Sequence, residues 1–229
     1  MKTQKTINMA KFIEHTLLRP DATETDILRL CNEAKRYGFF AVCVHPFFVK
    51  TVKALLLKSK IKISVVIGFP LGLTLAEVKV YESMQAVLNG ADELDMVMNV
   101  GAAKSGNWKT VEKEISDVIT ATPDSIHKII IETCYLTDDE KMNASLATMN
   151  AGAEFIKTST GFGPAGALVK DVELIRSVTG GRIGIKAAGG IKTLQNVMEF
   201  INAGATRIGT SSGVSIMKEL QGRVTSLLL

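Results

Sequence analysis

Two lysines stand where strands end. Residues 155–162 read FIKTSTGF, a short apolar run that delivers Lys157 to a turn of threonines, serine and Gly161. Residues 182–191 read RIGIKAAGGI and repeat the arrangement, with Lys186 followed by alanines and then Gly189 and Gly190. Lysine is rarely buried without a partner or a task, and a strand-end lysine can also simply snorkel to solvent. The pair favours chemistry. Ammonium groups on adjacent strands, ~6 Å apart, repel by about 3 kcal/mol at an effective dielectric near 20. Repulsion of that size favours the neutral amine on one of them, and a neutral amine can attack a carbonyl to form an imine. A third candidate is Asp95, in the run ADELDMVMN over residues 91–99, where an acid lies between leucine and methionine. It reads either as a buried partner for a lysine or as a group that passes protons to the two lysines. Glu14 has the same two readings. A second constellation is built of small residues. Gly189 and Gly190 follow one lysine, and GTSSG over residues 209–213, with Gly209, Ser211 and Ser212, follows another apolar run. Small residues let backbone amides approach an anion, and a helix start favours it.

The elements that must position these residues alternate regularly. Apolar strand-like runs fall at residues 12–15, 39–44, 61–67, 93–98, 128–131, 155–157, 183–186 and 207–210. Helix-like periodicity separates them at 21–36, 47–58, 74–88, 107–120, 137–149, 168–178 and 193–201, and a closing helix follows at 213–220. Asp21 and Thr23 are cap candidates for the first helix, and Thr74 with Glu77 has the spacing of a capping box. A joint recurs: NGA at 89–91 and NAGA at 150–153 and 202–205 each end a helix and open a strand. Eight strand–helix units of about 28 residues predict an α/β fold of the (β/α)8 TIM-barrel class, which takes ~31 residues per unit, as one domain over residues 1–229. A doubly wound sheet is the alternative, but no GxGxxG follows a first strand. In the barrel, Lys157 and Lys186 share one end of neighbouring strands, and the loops after the seventh and eighth strands are a common phosphate site. Lys128 opens the fifth strand, remote from the loop end, and ranks below Lys157.

Composition narrows the class. The chain has 229 residues, 46% apolar, and a net charge of +4 spread along its length; this argues against a nucleic-acid partner. Cys31, Cys43 and Cys134 form neither a disulfide framework nor a metal spacing, which fits a reducing cytoplasm. His15, His45 and His127 are scattered and predict no metal site, and no cofactor motif is present. Residues 1–11 lack a signal-peptide core, and the uncharged stretch 63–76 is too short to cross a membrane.

Motifs in all eight strand regions resemble one family. IEHTLL (13–18), AVCVHP (41–46), VIGFPLG (66–72), GADELDMVMNVG (90–101), IIETCYLT (130–137), FIKTSTGF, GIKAAGGI (184–191) and RIGTSSG (207–213) together resemble deoxyribose-phosphate aldolase. The resemblance implies a metal-independent, cofactor-free class I aldolase of deoxyribonucleotide catabolism. It would interconvert 2-deoxy-D-ribose 5-phosphate with D-glyceraldehyde 3-phosphate and acetaldehyde, as a cytoplasmic dimer or tetramer. By the same resemblance Lys157 forms the Schiff base, Lys186 perturbs it and moves protons, and Asp95 donates and accepts protons. Gly161, Gly189, Gly190, Gly209, Ser211 and Ser212 fall on the phosphate-binding positions. Two residues depart from the pattern. Glu14 stands where the family usually has aspartate, and its extra methylene moves the carboxylate by over an ångström; Phe162 offers only a backbone amide where some relatives carry lysine. Two readings compete: another imine-forming sugar-phosphate aldolase of transaldolase type, and a non-catalytic sugar-phosphate sensor. Product analysis separates the first, and a turnover assay the second.

Overall fold

The computed structural model describes residues 8–226; residues 1–7, part of the segment read above as lacking a signal core, lie outside the described residues. Eight parallel strands close into a barrel in sequence order: β1 (Ile13–Thr16), β2 (Ala41–Val44), β3 (Lys62–Ile67), β4 (Glu93–Val97), β5 (Ile126–Ile130), β6 (Phe155–Lys157), β7 (Gly184–Ala188) and β8 (Arg207–Thr210). β8 pairs back onto β1, with Glu14 opposite Gly209, so no edge is left to associate. Around them run α1 (Glu24–Tyr37), α2 (Val49–Leu56), α3 (Ala76–Leu88), α4 (Val100–Lys104), α5 (Trp108–Ala121), α6 (Asp138–Asn150), α7 (Val169–Thr179), α8 (Leu194–Ala203) and α9 (Gly213–Ser226). This is the expected (β/α)8 architecture.

The strands are apolar on both faces because both faces are covered. Ile63, Val65 and Ile67 of β3, with Ile129 of β5 and Ile156 of β6, join helix residues such as Ile27, Val111, Ile115, Val172 and Val197 in one continuous core. α1 is capped by Thr23, whose hydroxyl accepts from the Asp26 amide while the Asp26 carboxylate accepts from the Thr23 amide. The repeated joint works as expected: Gly204 ends α8 with φ 117°, a backbone that residues with a Cβ seldom adopt.

Three element expectations are corrected. Thr74 and Glu77 form no capping box. α3 begins at Ala76 with Leu75 as its cap residue, because the Gly72 amide is tied back to the Gly68 carbonyl at 2.8 Å and keeps Thr74 in the loop. The short helix α4 was not anticipated; the Asn99 side chain starts it by accepting from the Ala102 amide at 2.9 Å. β5 begins at Ile126, two residues before Lys128, which places Lys128 inside the barrel wall rather than at its entrance.

Candidate functional site

Register fixes the centre of the barrel. Lys157 on β6 lies directly opposite Lys186 on β7, and Asp95 on β4 lies opposite Lys128 on β5. Side chains of alternate strand residues point inward, so these four meet. Asp95 Oδ2 accepts from Lys157 Nζ and from Lys186 Nζ, each at 2.7 Å. Its other oxygen accepts from Lys128 Nζ and from Ser64 Oγ, each at 2.9 Å. Glu93 pairs with Lys128 at 2.6 Å. Glu14 accepts from Lys186 and lies 3.6 Å from Lys128. The cluster therefore holds three ammonium groups and three carboxylates, all buried, and is formally neutral.

The charges hold one another. Burial pushes Asp95 up, but Lys128, Lys157 and Lys186 together carry it well below the usual carboxylate range. Glu14 is likewise lowered, with Lys128 and Lys186 outweighing its burial. Burial opposes charge on Lys186, yet Asp95 and Glu14 hold it well above the ordinary lysine value. Lys128 is pushed up to about 12 by Asp95 and Glu14 against the same penalty. The two-lysine repulsion drawn from sequence omits these carboxylates, which place Asp95 between the two ammonium groups and balance the sum of charge.

Only one of the three lysines opens outward. Lys157 is 2% exposed and lines a cavity of about 330 Å3 at the C-terminal mouth of the barrel; Lys128 and Lys186 are fully buried beneath it. The volume falls at the low end of small-molecule sites. Gly161, Gly189, Gly190, Gly209 and Ser211 share this cavity with Lys157; Ser212 is not among its lining residues, and its amide donates to Thr210 Oγ1 at 2.9 Å. Gly189 is tightly required: its φ is 91°, and a Cβ there would stand 2.9 Å from the Gly166 Cα. Gly209 has a packing reason as well, since a Cβ would meet Lys186 Cε at 3.1 Å. Lys192 and Arg19 also line the rim, the Arg19 guanidinium being paired with Asp21 and Asp26. Cys43 is buried with its sulfur 3.9 Å from Asp95 Oδ2, and burial pushes its thiol up.

Sequence reasoning missed part of this arrangement. Lys128, ranked below Lys157 as a strand-entrance residue, is a full member of the cluster, because the strand starts earlier than its apolar run suggests. Ser64 and Glu93 also belong to it; the signal for Glu93 was its shared face with Asp95. Arg19 carried no motif. Among the described residues no group of three His, Cys, Asp or Glu side chains is placed to hold a metal ion.

The chain is similar to known proteins over most of its length. Residues 8–219 match the model of the "DeoC/LacD family aldolase". A deoxyribose-phosphate aldolase of Aciduliprofundum boonei is 53% identical over 219 residues, covering 93% of this chain and 97% of the relative. One from Thermoanaerobacter sp. strain X514 is 50% identical over 216 residues, with the same coverage. Among solved structures, "QR15, an Aldolase" superposes with a TM-score of 0.93 at 43% identity, over 97% of this chain and all of that one. The structure described as a unique tetrameric deoxyribose phosphate aldolase from Aeropyrum pernix has a TM-score of 0.87 at 33% identity, over 93% and 91% of the two chains.

Proposed function

Since the chain belongs to the DeoC/LacD aldolase family and is an aldolase, a carbon–carbon lyase, we propose that it reversibly cleaves 2-deoxy-D-ribose 5-phosphate to D-glyceraldehyde 3-phosphate and acetaldehyde through a Schiff base on Lys157. The observation that carries this reading is that Lys157, alone of the three cluster lysines, lines the cavity, with Asp95 against its nitrogen. The amine of Lys157, its proton passed to Asp95, adds to the C1 aldehyde of the open-chain sugar; loss of water with return of that proton gives a cationic imine. The C3 hydroxyl then loses its proton, the C2–C3 electron pair moves toward the imine, and glyceraldehyde 3-phosphate departs. An enamine of acetaldehyde stays on Lys157. Protonation at carbon and hydrolysis release acetaldehyde and restore the amine.

Asp95 and Lys186 serve these proton transfers from beneath the nitrogen. While Lys157 is cationic, as ammonium or as imine, the buried charges balance. When Lys157 is neutral, one negative charge is in excess and Asp95 becomes the better base. The glycine rim with Ser211 receives the phosphate and sets C1 against the amine; Ser212 and the start of α9 stand behind it.

Support for a homo-oligomer comes from α3, where Val78, Tyr81, Met84 and Leu88 are 47–78% exposed on one helix face, a contiguous apolar surface of the kind that marks protein contacts. Light scattering of the purified protein tests it; a monomer at micromolar concentration would refute it. A cytoplasmic setting in deoxyribonucleotide breakdown accords with three free cysteines and with the absence, among the described residues, of a helix long and apolar enough to cross a membrane.

The reaction is tested by reduction with borohydride in the presence of acetaldehyde. An ethyl group should appear on Lys157 by peptide mapping. Its appearance on Lys128 or Lys186 would overturn the assignment.

A further inference from the structure

Glu132, just past β5, takes a backbone conformation that its side chain does not favour. Its φ is 52° and ψ 66°, and among the described residues it alone has positive φ without being glycine. A left-handed backbone at a long side chain is uncommon, and such residues gather at functional sites. The side chain is nevertheless buried, 3% exposed. Its carboxylate turns back onto the loop after β6. Oε1 and Oε2 accept from the Thr160 amide at 3.1 and 3.3 Å, and Oε2 also accepts from the Thr160 hydroxyl. Thr160 Oγ1 in turn accepts from the Phe162 amide at 3.0 Å. One residue further, the Thr133 amide donates to the Thr158 carbonyl at 2.9 Å.

These bonds clamp the backbone on both sides of Gly161, which lines the lysine cavity. The same carboxylate forms part of the wall of a neighbouring cavity of about 560 Å3, lined by Leu71, Leu73, Val100 and Tyr135 and sharing Thr160 and Phe162 with the first. Lys104 also borders that space, with its ammonium drawn onto Glu140 at 2.8 Å. Glu132 lines the apolar cavity and not the glycine-rimmed one, so its charge opposes an anion most strongly on the apolar side.

We propose that Glu132 is a positioning residue for the phosphate end of the substrate: its carboxylate, through Thr160, sets the Gly161 turn that receives the phosphate and keeps the phosphate out of the apolar cavity. This rests on the reading of the glycine rim as the phosphate site. The backbone strain is accepted because the left-handed residue aims the carboxylate inward.

The decisive variant is Glu132→Gly. Glycine adopts φ 52° more readily than glutamate, so a purely conformational role would be served as well or better, whereas the carboxylate is lost. Steady-state kinetics with deoxyribose 5-phosphate should show kcat/KM down by about 10- to 100-fold, chiefly through KM, the range expected for a lost charge-assisted hydrogen bond. Unphosphorylated deoxyribose should change by less than about threefold. Glu132→Gln keeps an acceptor for the Thr160 amide and should recover part of the loss. Thr160→Val removes the relay from the other end and should reproduce the Glu132→Gly selectivity even if that protein proves unstable. Parent-like kinetics in Glu132→Gly, or equal losses on both substrates in Glu132→Gly and Thr160→Val, would overturn the inference. Ser211→Asp separates the two levels. If Ser211→Asp penalises only the phosphorylated substrate and Glu132→Gly does not, the role of Glu132 fails alone; if neither discriminates, the phosphate reading itself fails.

Discussion

Replacing Lys186 by methionine removes one buried positive charge while keeping most of the side-chain volume. Lys157 and Lys186 both stand 2.7 Å from the same oxygen of Asp95, so their nitrogens can be no further apart than twice that distance. At roughly 5 Å and an effective dielectric near 20, two unit charges repel by about 3 kcal/mol, equivalent to about two pH units. Lys186 is held charged by Asp95 and Glu14 despite its burial, so the repulsion operates across any practical assay range. Without it, protonated Lys157 is favoured, and imine formation requires higher pH. Part of the change is absorbed, because Glu14 and Asp95 lose a cation and take up protons more readily. The lower pH limb of imine formation should therefore move up by about one to two units. Lys186→Arg keeps the charge but alters the donor geometry, so its limb should move less while its rate still falls. The assay is the yield of borohydride-trapped, ethylated protein with acetaldehyde from pH 5 to 10, read by intact mass for all three proteins. If the Lys186→Met profile coincides with that of the parent, charge repulsion plays no part, and the desolvated position of Lys157 must account for its reactivity.

Three other outcomes follow from the same cluster and its cavity. Ser211→Asp, on the cavity rim, should weaken turnover of deoxyribose 5-phosphate at least tenfold at subsaturating substrate while sparing deoxyribose; equal losses would place the phosphate elsewhere. Lys128→Met leaves three carboxylates facing two ammonium groups and should cost roughly 3–5 kcal/mol of stability by urea denaturation, as for other buried ion pairs broken from one side; a variant as stable as the parent refutes the pairing. Stability against pH should fall at both ends. Asp95 and Glu14 are depressed despite burial, so their contribution is complete above about pH 5 and is lost as pH falls below about 4. Lys128 is raised, so its contribution is complete below about pH 10 and is lost as pH rises through about 12; thermal melts that stay flat from pH 5 to 3 would contradict the first half.

What the sequence made legible was the position of charges within apolar runs. Lys157, Lys186 and Asp95 interrupt strands that are otherwise buried on both faces, and a parallel barrel converts matching positions on adjacent strands into contact. The eight-fold alternation was equally legible, because helix and strand periods differ. What stayed hidden depended on boundaries and on long-range pairing. A two-residue shift in the start of β5 moved Lys128 from the entrance to the interior. The buried Lys79–Glu114 pair, 2.9 Å apart between α3 and α5, joins residues 35 positions apart that no local pattern couples. The left-handed backbone at Glu132 leaves no trace in IIETCYLT, since nothing in the residue type announces it. Which of the two adjacent serines lines the cavity was likewise not legible, since adjacency in a pair does not say which residue faces it; Ser211 does.

The departure at Glu14 takes its meaning from the whole cluster. From the first strand, a carboxylate must cross the barrel interior to touch both Lys186 and Lys128, and Glu14 does so. The far side of its carboxylate lies 3.9 Å from Arg207 Nε, whose guanidinium stacks on Phe40 with its centre 3.7 Å from the ring. Glu14 thus anchors Lys186 from the side opposite Asp95. A buried ion cluster is tolerated only when each charge has a partner, and the cationic imine of the proposed mechanism preserves the three-to-three balance that the free ammonium establishes. The neutral amine disturbs it by one charge. The barrel interior is therefore matched to the electron-deficient imine on which carbon–carbon cleavage depends, and the neutral nucleophile is the state it disfavours. Ammonium and imine are balanced alike, so the cluster does not ease release of the nucleophile; what it stabilises is the cationic imine, once formed, through the carbon–carbon cleavage that draws on it.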